Sequence, residues 1–258
     1  MNIVIDIKRF VNTAIPEGVE PYLYVSDNPE EIRRLSGNGH FVVPVLTDSN
    51  KDEDFSSYKY VITNPEEIDT DFYVKIWQRY VGLPWTILET RRCIIREMTE
   101  GDVEELYKVY EDDSITDYTE PLYPDYEDEL EYTRNYINNV YSYFGFGTWL
   151  VVNRENRKVI GRVGFNYREG HDSPELGYVI AKDYQGQGIA FEVCRAVTIY
   201  GFEELGFERI SAYSVMENKK SLGLLKKLGF KEDPGGEKIS AEFKGISYEM
   251  NKYIKAPK

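Results

Sequence analysis

Two glycines, Gly186 and Gly188, stand in the run Tyr184-Gln185-Gly186-Gln187-Gly188-Ile189-Ala190-Phe191, where the residue types point most directly to chemistry. The apolar stretch Leu176-Gly177-Tyr178-Val179-Ile180 before it reads as a strand. After it, Ile189, Val193, Ala196, Val197 and Tyr200 recur at the spacing of one helix face. Backbone N–H groups at a helix start lack internal acceptors and carry the positive end of the helix dipole. Glycine lets that backbone come close to a bulky anion, so strand, glycines and helix together read as a phosphate-binding turn. A P-loop would need a Lys-Ser/Thr pair behind the glycines, and Ile189-Ala190 follow instead. A tight turn with no ligand would use the same residues.

The rest of the chain limits what such a turn could serve. At 258 residues it can bury one large core or two modest ones. Its 45 acidic residues against 31 basic ones give a net charge of −14, which repels phosphate backbones and attracts cations, amines included. Nucleic acid is therefore not an expected partner. No apolar run approaches the roughly 20 residues that span a bilayer, so no membrane partner is expected either. The N-terminus shows no secretory pattern, which makes cytoplasm the default location. Cys93 and Cys194 have no neighbouring thiol or histidine in sequence, so neither a disulfide framework nor a metal site is expected.

The order of elements after the glycines is distinctive. Leu205-Gly206-Phe207 leads into a strand from Arg209 to Val215, then Asn218-x-x-Ser221 opens a helix that ends in Lys227-Leu228-Gly229-Phe230. With Gln185-x-x-Gly188-x-Ala190 ahead of it, this block resembles the second half of the GNAT superfamily of acetyl-CoA-dependent N-acyltransferases. Residues 90–253 carry the resemblance, most specifically 174–232, and it is nearest to the branch of ribosomal-protein N-terminal acetyltransferases. It implies an α/β (α+β) fold: a central mixed, mostly antiparallel sheet flanked by helices. It also implies direct acetyl transfer from acetyl-CoA to a primary amine, without a metal.

By the same resemblance, Gln185, Gly186, Gln187, Gly188, Ile189, Ala190 and Phe191 would hold the diphosphate. The pantetheine arm would lie along Tyr178, Val179 and Ile180, with the backbone near Val179 polarising the thioester carbonyl. Asn218 would touch the coenzyme, or simply cap its helix. Glu175 would take the amine proton, directly or through water. Many relatives place a tyrosine seven residues after the asparagine as acid to the leaving thiolate; here that residue is Leu225. Ser221 is the substitute candidate, and the alternative is a lapsed acyl-CoA-binding module. The acidic, aromatic segment Asp112 to Glu120 would line the acceptor side and suit a cationic amine.

The chain reads as two domains, 1–88 and 89–258. In the first, Tyr22 to Val25 is a strand ending in Ser26-Asp27-Asn28, with a helix from Glu30 to Leu35. Further strands are expected over residues 41–46 and 58–62, and a helix over residues 71–80. This lobe resembles the last third of a haloacid dehalogenase-like domain, with Asp27 at a magnesium-holding position. The upstream Asp-x-Asp strand is missing, which implies a truncated, non-catalytic lobe that packs on the transferase or builds a homodimer. In the second domain the first strand is expected at Arg92 to Glu97. A long helix is expected from Tyr126 to about Phe144, hairpins over residues 149–165 and 167–173, and a closing strand over residues 245–253.

Overall fold

Strand-like and helix-like runs alternate along the chain. The computed structural model, which describes residues 1–10, 15–168, 170–236 and 238–257, sorts them into two compact units, Met1–Trp85 and Thr86–Lys258. In the first unit β1 (Asn2–Asp6) lies antiparallel to β2 (Tyr22–Ser26), and β2 lies parallel to β3 (Val42–Pro44). The parallel step needs a crossover, and α1 (Pro29–Gly37) supplies it. Asn28 caps α1 through the N–H groups of Glu30 and Glu31. Helix α2 (Thr70–Tyr80) turns Tyr73, Val74, Ile76 and Trp77 inward to pack with Ile7, Leu23, Val25 and Val43. The expected strand at residues 58–62 shrinks to one parallel bridge, Val45 with Ile62.

The second unit is built on a mixed sheet. Its strands are β4 (Thr86–Glu89), β5 (Cys93–Arg96), β6 (Thr148–Asn153), β7 (Val159–Asn166), β8 (Glu175–Ile180) and β9 (Ile210–Val215). They are completed by β10 (Lys231–Glu232), β11 (Ile239–Phe243) and β12 (Ile246–Lys255). The order runs β10-β12-β9-β8-β7-β6-β5-β4, with β11 paired to β12, and every described pairing is antiparallel except β8 with β9. Thr86–Glu89, expected as the join between domains, is thus the outermost strand of this sheet. Strand β11 was not anticipated; Lys244 and Gly245, both at positive φ, turn it into β12. The connection at residues 167–173 includes Glu169, which lies outside the described residues, as do residues 11–14.

Helix α3 (Val103–Val109) and α4 (Tyr126–Asn135) follow β5. A π-helical turn, Tyr136–Tyr141, and the short α5 (Ser142–Phe144) continue α4. The long helix read from the sequence is therefore present but is not α-helical throughout. In an α-helix residues five apart diverge by about 140°, whereas i→i+5 bonding stacks them. Here Tyr136 Oη accepts Thr148 N–H at 2.7 Å and Tyr141 Oη donates to Thr148 O at 2.6 Å, so both rings grip the start of β6. Helices α6 (Ile189–Glu203) and α7 (Lys219–Leu228) follow β8 and β9. The core joins Ile95, Leu106, Trp149, Leu150, Ile160, Phe165, Val193 and Val197. No helix among the described residues is long and apolar enough to cross a membrane.

The entry to α3 is held by charge. Arg96 reaches Asp102 with Nη1 at 2.8 Å and Nη2 at 2.6 Å, and the same carboxylate accepts Thr99 N–H at 2.8 Å. Burial pushes the Asp102 carboxyl up, but Arg96 and Thr99 outweigh it and hold the group below the usual carboxylate range. Stability from a depressed carboxyl is present above its unfolded pKa and is lost as pH falls through the folded value. Asp102→Asn should therefore cost about 3 kcal/mol near neutrality. The gap to wild type should shrink below about pH 4. Denaturant titrations at both pH values measure it, and a gap independent of pH would refute the assignment.

Candidate active site

The glycine turn is shaped by three bonds and leaves its donors outward. Gln185 Nε2 donates to Ile180 O at 2.9 Å, and Gln187 Nε2 to Asp183 O at 2.8 Å. Arg92 Nη1 donates to Gln187 O at 2.8 Å, so both glutamine side chains and one carbonyl are spent on holding the turn. Gly186 (φ 76°) and Gly188 (φ 77°) occupy the left-handed region, which costs a side-chain-bearing residue about 1–2 kcal/mol. Among the described residues, no acceptor meets the N–H groups of Gly186, Gln187, Gly188, Ile189, Ala190 or Phe191. The N–H of Gln185 does not join that set, because it bonds Lys182 O at 3.1 Å.

Two cations flank these amides. Lys220 Nζ donates to Gln185 Oε1 at 3.2 Å, and Arg92 Nε pairs with Glu192 at 2.7 Å in the first turn of α6. Burial raises the Glu192 carboxyl, but Thr90 and Arg92 outweigh it and keep the group below its ordinary range. Glu192 also accepts Arg92 N–H at 2.8 Å, which fastens the start of β5 to the start of α6.

Strands β8 and β9 run parallel yet share one paired position, Glu175 with Ser211. Beyond it the sheet opens. Ser211 N–H bonds Pro174 O at 2.9 Å on the β9 side, and Ala181 N–H bonds Ile160 O at 2.8 Å on the β7 side. Backbone groups alternate along a strand, so those of Leu176, Tyr178 and Ile180 face the opening. Val179, paired with Arg162, keeps its N–H and C=O toward β7. The N–H that faces the opening at that level is Tyr178's.

Side chains alternate as well. Tyr178 points to the α7 face, where its phenol donates to Ser221 Oγ at 3.1 Å. Ser221 N–H in turn bonds Asn218 Oδ1 at 3.0 Å, so Asn218 is the N-cap of α7. Burial raises the Tyr178 phenol above its ordinary range, so it stays protonated. Leu225, one turn beyond Ser221, is buried in the core.

On the opposite face Glu175 is mostly enclosed, and Arg168 Nε ion-pairs with its Oε2. His171 Nδ1 lies 2.8 Å from Tyr213 Oη. The acidic segment between α3 and α4 is matched by the chain's own lysines. Lys244 Nζ reaches Asp117 Oδ1 at 2.7 Å and Asp113 O at 2.6 Å, and Lys182 Nζ reaches Ser114 Oγ at 2.7 Å. That segment is thus less of a cation trap than its composition suggests. Both thiols are buried; burial pushes Cys93 up to about 11 and Cys194 higher, so neither is a thiolate near neutrality.

Arg92, Lys220 and the Tyr178 phenol were not anticipated as site residues. Strand alternation alone could have separated Tyr178 from Val179; the two cations arrive from distant elements and leave no local signal.

Likeness to known proteins agrees with this architecture. The profile of the family described as "Acetyltransferase (GNAT) domain" matches residues 92–231. The uncharacterized N-acetyltransferase YoaA of Bacillus subtilis (strain 168) is 29% identical over 174 residues, 65% of this chain and 94% of its own. The crystal structure of ribosomal-protein-S5-alanine acetyltransferase from Vibrio fischeri superposes with a TM-score of 0.53 at 18% identity, over 66% of this chain and 95% of that one. RimL, a ribosomal L7/L12 alpha-N-protein acetyltransferase solved in complex with coenzyme A, gives a TM-score of 0.57 at 16% identity, over 67% of this chain and 98% of its own. The matched profile spans more than half of the residues and falls on the glycine turn, the opened strands and the asparagine cap alike: the chain belongs to the GNAT acetyltransferase family and is an acyltransferase.

Proposed function

We propose that the chain transfers an acetyl group from acetyl-CoA to a primary amine, with both substrates bound at once in the second unit. The observation that carries the reading is the row of amides from Gly186 to Phe191 without acceptors among the described residues, flanked by Lys220 and Arg92. That donor set fits a diphosphate: it is positive, preorganised and bare of Cβ atoms at Gly186 and Gly188. A Cβ at Gly186 would meet nothing within 4 Å, and one at Gly188 only Arg92 Nη2 at 3.8 Å.

Acetyl-CoA supplies the activated acyl carbon. The chain's residues handle position and protons. The N–H and C=O of Tyr178 and the N–H of Ile180 offer an added-strand edge to the pantetheine arm, the Ile180 carbonyl being taken by Gln185 Nε2, and Tyr178 N–H is the donor for the thioester oxygen. Glu175 lies on the acceptor face and takes a proton from the incoming amine, through water where Arg168 occupies its Oε2. As the N–C bond forms and the C–S bond breaks, the Tyr178–Ser221 pair gives a proton to the departing sulfur, in place of the tyrosine that Leu225 replaces. Asn218 fixes Ser221 by capping its helix. Solved neighbours with ribosomal-protein substrates in their titles support an amine acceptor.

Gly188→Glu adds bulk and negative charge at the diphosphate. It should weaken coenzyme A at least about 100-fold, about 2.8 kcal/mol, by calorimetry. Unchanged affinity in the folded variant would sink the assignment. Tyr178→Phe should lower kcat about 10- to 100-fold while coenzyme affinity holds, read by thiol release against an amine panel. Ser221→Ala should do the same. An acyl-CoA-binding module that had lapsed would bind coenzyme and turn over none of the panel.

A further inference from the structure

Arg162 sits mid-strand in β7 with its side chain toward α3, on the same face as Val179 and Glu175. Its Nη2 donates to Tyr110 Oη at 2.6 Å, and the guanidinium carbon lies 5.3 Å from the centre of that ring. Nε is buried with no acceptor, and the hydrogen bond this guanidinium makes among the described residues goes to the Tyr110 phenol. The carboxyl that acts on it is Glu129, 2% exposed, whose Oε2 accepts Tyr123 N–H at 2.9 Å. Burial raises the Glu129 carboxyl, with the Tyr123 bond and Arg162 opposing. Tyr132 and Tyr136 complete the surroundings. A half-buried guanidinium with an orphaned N–H and no hydrogen-bonded carboxylate is costly in a folded protein unless something else answers it.

The register tells where that answer would lie. Along β8 the row on this face is Glu175, Gly177, Val179, opposite Asn166, Gly164 and Arg162. Arg162 and Glu175 therefore stand at opposite ends of one strip, about 13 Å apart along the strand at ~3.3 Å per residue. Between them Gly177 has no side chain, and a Cβ there would meet only Asn166 Nδ2 at 3.2 Å. One end of the strip is carboxylate, the other guanidinium, and the strand that carries it borders the opening between β8 and β9.

From this juxtaposition we infer that the acceptor is an amine whose own molecule carries a carboxylate, with Arg162 holding the carboxylate while the amine faces Glu175 and the thioester. The inference rests on the acetyl-transfer reading and narrows its substrate to the amino-acid class. Guanidinium matches carboxylate in plane and in donor spacing, and the pair is favoured where water is scarce. Arg162 is a specificity-determining residue here; it moves no proton in the reaction.

The minimal probes are N-acetylglycine and N-methylacetamide, a product-like pair that differs only by the carboxylate. With coenzyme A present, N-acetylglycine should bind at least about tenfold tighter by NMR titration. Arg162→Gln should bring the two within about twofold, and Arg162→Lys should retain part of the preference, because it keeps the charge without the fork. Equal binding of both probes to the wild type overturns the inference, as does a preference that survives Arg162→Gln in a protein of unchanged coenzyme affinity. Calorimetry with coenzyme A alone separates the two readings. Loss of that binding would defeat acetyl transfer itself, whereas intact binding without a carboxylate preference would defeat only this substrate class.

Discussion

One paired position between two parallel strands governs the second unit. Glu175 meets Ser211, and past that point β8 and β9 go separate ways. A fully zipped pair would satisfy the backbone of both strands and leave nothing for a ligand. Because the ladder stops, alternate peptide groups of β8 face open space, and a buried or ligand-facing peptide group must find a partner. The turn after β8 sends the chain straight into α6, so the unpaired strand edge and the unpaired helix amides belong to one continuous stretch of backbone. Two kinds of donor, edge and helix start, are thus placed end to end, with the Gln185, Gln187 and Arg92 side chains holding the turn between them.

The helices on the two faces of the sheet then separate duties. On one face α6 and α7 bring Ser221 to the Tyr178 phenol. On the other, α3 brings Tyr110 to Arg162, and the strand itself carries Glu175. A strand of alternating side chains can serve both faces at once, and β8 does so within four residues. The position of α3 depends in turn on the Arg96–Asp102 pair, with the carboxylate largely enclosed.

The sequence was most legible where structure is local. The glycine turn, the Asn218 cap and the hairpin of β6 and β7 each depend on residues within a few positions of one another, and each is present. Legibility failed where a third element decides. Tyr58-Lys59-Tyr60-Val61-Ile62 has the composition of a strand, but only Ile62 finds a parallel neighbour in Val45, so a single bridge remains. Thr86–Glu89 looks like a linker until β5 pairs with it. Asp113 and Asp117 look like a lure for cations until Lys244, more than a hundred residues later, arrives beside them. Arg162 reads as one polar residue in an apolar strand; only the packing around Tyr110 reveals a guanidinium N–H without an acceptor.

The π-helical turn after α4 has a consequence for how this helix can vary. Its wider winding accommodates one more residue per turn than the flanking helix, which is what aligns Tyr136 with Tyr141. Deleting a single residue there would let the i→i+4 ladder close through the turn and leave the helix beyond it close to its present orientation. Tyr141, wholly enclosed and bonded to Met98 N–H at 3.2 Å, would then follow Tyr136 by four residues and still share its helix face. In this stretch side-chain identity is under tighter constraint than chain length, because both phenols bond Thr148 whereas the winding can take up one residue more or less.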